Sequence, residues 1–148
     1  MTLSASLVAV GDNVTKKSEK FEDGNWTDIQ EPPVVGNYFG GYAVISHGGN
    51  HFFFGGRTDS IKELNSILRL SGSSWTWSNV GQLNSARRAH GAIVFGNTVA
   101  VAGGIETKNN ELCLLENEQF TCTEHSSSLF DYSWYPILLP VDKTYGKC

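Results

Sequence analysis

Apolar residues in this chain come in short runs closed by glycine or other turn formers, with few long helical patterns. That pattern predicts short β-strands and an all-β fold. The clearest stretch predicts strands at Tyr42–His47, His51–Phe54, Ile67–Leu70 and Trp75–Val80. Gly48-Gly49-Asn50 and Ser71–Ser74 supply turns, and Trp75 and Trp77 are placed on one strand face. A second stretch repeats the order, with His90–Phe95, Thr98–Ala102, Glu111–Leu115 and Gln119–Thr123.

The two stretches align without a gap. Gly41–Gly56 reads GYAVISHGGNHFFFGG and Ala89–Gly104 reads AHGAIVFGNTVAVAGG, an offset of 48 residues from Gly55 to Gly103. Self-similarity at such a period marks a repeat architecture. A partial earlier copy is predicted at Leu7–Gly11, Ser18–Phe21 and Asn25–Ile29, before Pro32-Pro33 breaks the sheet. The predicted organisation is an incomplete unit at 1–36, units at 37–84 and 85–129, and a C-terminal edge segment at 130–148. In that segment Pro136 and Pro140 limit Trp134–Val141 to an edge strand.

Charge narrows the function. Eleven Lys and Arg against 15 Asp and Glu give a net −4, which argues against a nucleic-acid binder. No apolar run reaches the ~18 residues of a membrane span, and the first dozen residues make a poor signal peptide. The three cysteines form no C-x-x-C pair, so neither a zinc ribbon nor a thioredoxin-type site is indicated. If Asn117-Glu118 centres a hairpin, facing positions sum to 235, as Cys113 and Cys122 do. A disulfide between them is predicted, which points to an oxidising compartment. Cys148 is left over. Asn13 and Asn25 open N-x-T triplets, glycosylation acceptors if the chain is secreted.

Trp77, Val80, Leu83, Arg87, His90 and Gly103-Gly104 together read W-x-x-V-x-x-L-x₃-R-x-x-H-G-x₁₁-GG. This resembles the kelch repeat, strongly from Trp75 to Gly104 and more loosely from Leu7 to Leu129. The resemblance implies β-propeller blades of four antiparallel strands. It places the tryptophan between blades and Arg87 and His90 where one blade hands over to the next. A ring of four to eight blades is implied. About three blades are present, so closure requires further blades or other copies. The preceding unit departs from the pattern, with Phe39 and Tyr42 in place of the arginine and histidine.

No catalytic, metal or cofactor residues are assigned. His47 and His51 flank a predicted hairpin, where a third metal ligand is missing. His90 with Arg87 and Arg88 lacks a nucleophile. The copper site of galactose-oxidase-like enzymes, which the resemblance also brings in, cannot be mapped onto Tyr135 and Cys148. Trp26, Trp75, Trp77 and Phe120 are expected to pack. Loops following the second and fourth strands of each unit should share one rim. They comprise Arg57–Ser66, Asn84–Arg88 and Ile105–Asn110, and offer Arg57, Asp59, Arg87, Arg88, Glu106 and Lys108 to a protein or small ligand. The expected function is a non-catalytic interaction scaffold, part of a larger extracellular protein. The alternatives are an intracellular kelch adaptor and an oxidase-like enzyme fragment.

Overall fold

The computed structural model describes residues 7–11, 14–105, 107, 109–126, 136 and 138. The glycine-punctuated runs become eleven strands, with no helix among the described residues. Strands β1 (Leu7–Val10), β2 (Ser18–Glu22) and β3 (Asn25–Ile29) form an antiparallel sheet of three. Strands β4 (Ala43–His47), β5 (Asn50–Phe54), β6 (Leu64–Ser71) and β7 (Trp77–Arg87) form an antiparallel unit of four. Strands β8 (Gly91–Phe95), β9 (Thr98–Ala102), β10 (Asn109–Glu116) and β11 (Gln119–Ser126) form the next. The chain is all-β.

The repeat holds at the level of register. Ala43↔Phe54, Ile45↔Phe52 and His47↔Asn50 in one hairpin match Gly91↔Ala102, Ile93↔Ala100 and Phe95↔Thr98 in the other, each shifted by 48 residues. The turn glycines match too, with φ +57° at Gly48 and +60° at Gly96. So do the strand-ending pairs: +58° and +102° at Gly55 and Gly56, +72° and +116° at Gly103 and Gly104. These are left-handed conformations that disfavour a Cβ.

β1 is the counterpart of β5. A Cβ on Gly55 would lie 2.5 Å from the carbonyl oxygen of Arg87, and one on Gly11 would lie 2.3 Å from that of Phe39. Phe39 and Arg87 are themselves 48 residues apart. The first unit therefore shows, among the described residues, the equivalents of the second, third and fourth strands but not of the innermost one.

The last strand of the middle unit exceeds its predicted length. β7 does not end at Val80 but continues to Arg87 through bulges opposite β6. The boundary expected between residues 84 and 85 thus falls inside a strand. Near Gly81 (φ +152°), β7 meets β11 in a parallel pairing, Phe120↔Gly81. The two units thereby join into one eight-stranded sheet. A Cβ at Gly81 would stand 2.8 Å from the Phe120 carbonyl oxygen, so glycine is what permits the approach. Trp75 precedes β7, at φ +55°, yet still packs on the same apolar cluster as Trp77. Trp26 departs from expectation: it is 51% exposed on the outward face of the first sheet, against Phe21. Pro136 and Leu138 lie against Gly91 of β8.

Two cores separate the three units. Val10, Phe39, Phe53, Leu68, Leu70 and Trp77 fill the space between the first and second. Ile45, Phe52, Phe54, Ile67, Val80, Val99, Val101, Cys113 and Phe120 belong to the core between the second and third. Alternation decides which side of β5 goes where: Phe53 faces back, Phe52 and Phe54 face forward.

Gly55 and Gly96 share nearly the same backbone conformation, but only Gly55 is crowded. Gly96→Ala should cost about 1 kcal/mol, the left-handed penalty alone. Gly55→Ala should cost about 3 kcal/mol or more, because backbone must move as well. Urea unfolding of the two variants checks this, and equal costs would show that close approach is not the constraint.

Candidate functional site

The handover from the second unit to the third is built on a buried ion pair. Arg87, at the end of β7, and Glu111, in β10, are both fully buried and meet at 2.7 Å. Glu111 also accepts from the backbone N–H and the side-chain amide of Asn84 and from the Ser85 N–H. Arg87 donates further to the carbonyls of Ser85, Gly103 and Asn109. Burial pulls the Arg87 guanidinium below its usual value, and the Glu111 charge beside it opposes that shift. Arg87 therefore belongs to the interior, not to the rim where its loop was expected. The reason is the length of β7, which continues through Asn84–Arg87 as strand and turns Arg87 inward.

Glu111 was not singled out by sequence reasoning. Its signal was available: it lies 48 residues after Glu63, and both follow a glycine pair by the same distance. In the second unit the arginine position is Phe39, buried and stacked on Tyr42 at 4.6 Å. Glu63 is thereby free to take the Nε–H of Arg88 at 3.1 Å. The Tyr42 hydroxyl donates to the Val10 carbonyl, and its burial pushes its pKa up. The arginine position is thus buried at both junctions, held by an ion pair at one and by a stacked ring at the other.

His90 is 3% exposed, and neither ring nitrogen finds a hydrogen-bond partner among the described residues. Burial first, and the Arg87 charge second, lower its pKa to about 3. Its burial keeps it neutral above that pH. His47 and His51 fall on opposite faces of the β4–β5 hairpin, because Ser46, not His47, stands opposite His51. Ser46 Oγ contacts His51 Nδ1 at 2.8 Å. The pair cannot converge on one metal.

The hairpin register anticipated for the cysteines is present. Cys113 stands opposite Cys122, Leu115 opposite Phe120, and Asn117 and Glu118 form a turn with φ of +48° and +63°. The two cysteines form a disulfide, with Cα atoms 4.0 Å apart. Cys113 is fully buried within the core that joins the second and third units.

Two of the expected rim residues flank Gly40 and Gly41, and a third holds Asn37 a few residues earlier. Arg57 pairs its backbone with Gly40 and sets its guanidinium 5.4 Å from the Tyr38 ring centre. Arg88 lies beside Gly41. Asp59 accepts from the Asn37 N–H at 2.8 Å and side-chain amide at 2.7 Å, and these bonds hold its pKa down. Asp59 is exposed, while Arg57 and Arg88 are half-buried. Glu106, Lys108 and Asn13 lie outside the described residues. Asn25 is exposed at the start of β3.

The chain is similar to Kelch-like protein 41b of Danio rerio, at 25% identity over 80 residues. The match takes in 54% of this chain but only 13% of that protein. No family model matches the chain.

Three outcomes follow. Glu111→Leu should destabilise by about 3–5 kcal/mol, because it strands a buried guanidinium. Arg87→Met with Glu111→Leu should cost clearly less than the two single changes summed. Additive costs would refute the lock. Loss of either cysteine should cost on the order of 2–3 kcal/mol, and loss of both no more than one. Additive thiol losses would remove the disulfide as the cause. Third, an unfolded His90 binds a proton below pH 6.5 that the folded one refuses until about pH 3. Stability should therefore fall as pH drops through this window, by at most ~1.4 kcal/mol per unit from this group. His90→Leu should flatten the curve between pH 6 and 4 relative to the wild type, and parallel curves would contradict the assignment.

Proposed function

We propose that this chain is a segment of a kelch-type β-propeller, about three blades long, acting as a non-catalytic protein-interaction scaffold. The observation that carries this reading is the shared register of β4–β5 and β8–β9 at a 48-residue offset, glycine by glycine. The similarity to a kelch-like protein supports it. The buried roles of Arg87 and His90 match those that the kelch pattern implies, and they leave both residues without access to a substrate. Partner recognition falls to the rim where Arg57 and Arg88 flank Gly40 and Gly41 from two units, with Asp59 held on Asn37.

The Cys113–Cys122 disulfide supports an extracellular setting, part of a larger protein whose further blades, or other copies, close the ring. An intracellular kelch adaptor that recruits a protein partner is the alternative. Intact-mass analysis of the native protein, with thiols alkylated before lysis, separates the two. Two alkylated thiols at Cys113 and Cys122 would support the adaptor, and their absence the secreted form.

The rim is tested by charge reversal. Arg57→Glu with Arg88→Gln should leave the fold intact, since the Tyr38 contact is worth about 1 kcal/mol or less and glutamine sets no second carboxylate against the half-buried Glu63. It should weaken binding of a cross-linked partner at least tenfold by interferometry. Undiminished binding by the folded double variant would move recognition away from this rim.

A further inference from the structure

At the end of the second unit away from the rim, two turns stand side by side. Gly48-Gly49 joins β4 to β5, and residues 72–76 join β6 to β7. The Gly72 N–H donates to the Gly49 carbonyl at 3.1 Å, and a Cβ on Gly72 would lie 2.2 Å from that oxygen. Glycine is therefore what lets the turns touch. A Cβ on Gly48 or Gly49 would meet nothing within 4 Å. Between the turns lies a pocket of about 350 Å³, lined by Ser46, His47, Asn50, His51, Trp75 and these three glycines. It has the size of a small-ligand site, and all of its lining belongs to the second unit.

The repeat shows that these side chains are not what the fold requires. The third unit carries Val94, Phe95, Thr98 and Val99 where the second carries Ser46, His47, Asn50 and His51. Ser46 stands opposite His51 as Val94 stands opposite Val99. Val99 is buried in the core and Val94 packs against it, so a pair of valines satisfies the scaffold at this place. The second unit has a polar pair instead, with Ser46 Oγ 2.8 Å from His51 Nδ1. That contact uses one ring nitrogen and leaves Nε2 for a ligand.

Trp75 is a further departure. It is held at φ +55°, a conformation that bulky residues avoid. Its N–H bonds the Ser71 carbonyl, and Ser71 Oγ accepts from the N–H groups of Ser73 and Ser74, so the turn holds it there. Strain of this kind gathers at functional sites. The indole packs on the apolar cluster between the first and second units and also lines the pocket. Lys20 reaches within 5.3 Å of its ring centre, but Glu22 holds the Lys20 ammonium.

We propose that this pocket binds a neutral saccharide. Hydroxyl, amide and neutral imidazole groups each both donate and accept, which suits a ligand made of hydroxyls. An indole adds an apolar surface for the C–H face of a sugar ring. Among the described residues no carboxylate, ammonium or guanidinium lines the pocket, so a charged ligand would meet no counter-charge. The pocket lies at the opposite end of β4 and β5 from Gly40 and Gly56, so rim variants and pocket variants fail independently.

The test is saturation-transfer difference NMR of the full chain with lactose, maltose, cellobiose and N,N′-diacetylchitobiose. Saturable binding of at least one is expected, unchanged by Arg57→Glu. Ser46→Val with His51→Val installs the pair that the third unit carries, so the wild-type melting temperature should be kept. Binding should weaken about tenfold or more, since two hydrogen-bonding groups are lost. Asn50→Thr, again the third unit's residue, should weaken it roughly threefold or more, and it decides the matter if the valine variant loses its melting transition. Saturation by none of the four sugars, undiminished binding by the folded variants, or loss of binding on Arg57→Glu would overturn the proposal. Saturable binding of inorganic phosphate in place of the sugars would mark an anion site and overturn it as well.

Discussion

The buried pair of Arg87 and Glu111 sets the geometry on which the larger sheet depends. Taking two charges out of water costs several kcal/mol each, and their attraction only offsets this when every remaining donor and acceptor is met. Here the carboxylate takes bonds from Asn84, Ser85 and Arg87, and the guanidinium reaches the carbonyls of Ser85, Gly103 and Asn109. These partners come from the end of β7, the end of β9 and the start of β10. A one-residue slip of β7 would turn Arg87 to the other face and leave Glu111 buried alone. The apolar core between the units could adjust to such a slip by repacking, but the ion pair could not.

The other junction shows what the fold requires at this position and what it leaves open. Phe39 occupies the arginine position and Tyr42 the histidine position, and their rings fill the space that charge fills elsewhere. The common element is the backbone carbonyl at this site, which approaches a glycine in the adjoining strand, Gly11 in one case and Gly55 in the other. That contact depends only on main-chain geometry and the absence of a Cβ. The side chain need only be large, buried and internally satisfied, which explains how one repeat carries arginine and its neighbour phenylalanine.

Much of this was legible in the sequence. Glycine pairs and alternating runs located the inner hairpins, and the mirror positions about Asn117-Glu118 located the disulfide. Both signals are local, and turn chemistry fixes hairpin register. What was hidden depended on distant residues. Asn84–Arg88 is polar enough to resemble a loop, but pairing with β6 and the bonds to Glu111, some two dozen residues later, hold it as strand up to Arg87. Gly81 looks like a strand end until Phe120 is brought beside it. The exposure of Trp26 was equally illegible, since Trp26-Thr27-Asp28-Ile29 repeats the pattern of Trp77–Val80. The difference is that Trp77 faces the first unit, with Gln30 against it, whereas Trp26 shares the outward face with Phe21 and Leu7.

The polar groups of this protein therefore fall into two energetic ranks, and the ranks separate scaffold from surface. The bonds of Arg87 and Glu111 have no water to replace them, so neither residue can leave its partner for a ligand. Arg88 on Glu63 and Arg57 on the Tyr38 ring are half-buried contacts with few bonds, which water can partly replace. A partner carboxylate could displace either at small cost, and side chains already held near one geometry lose less entropy on binding. The adjacent arginines at the end of β7 illustrate the division. Arg87 turns inward at the strand's last residue, where it fixes the fold, and Arg88, just beyond the strand, stays half-buried against Glu63, where its contact can be exchanged.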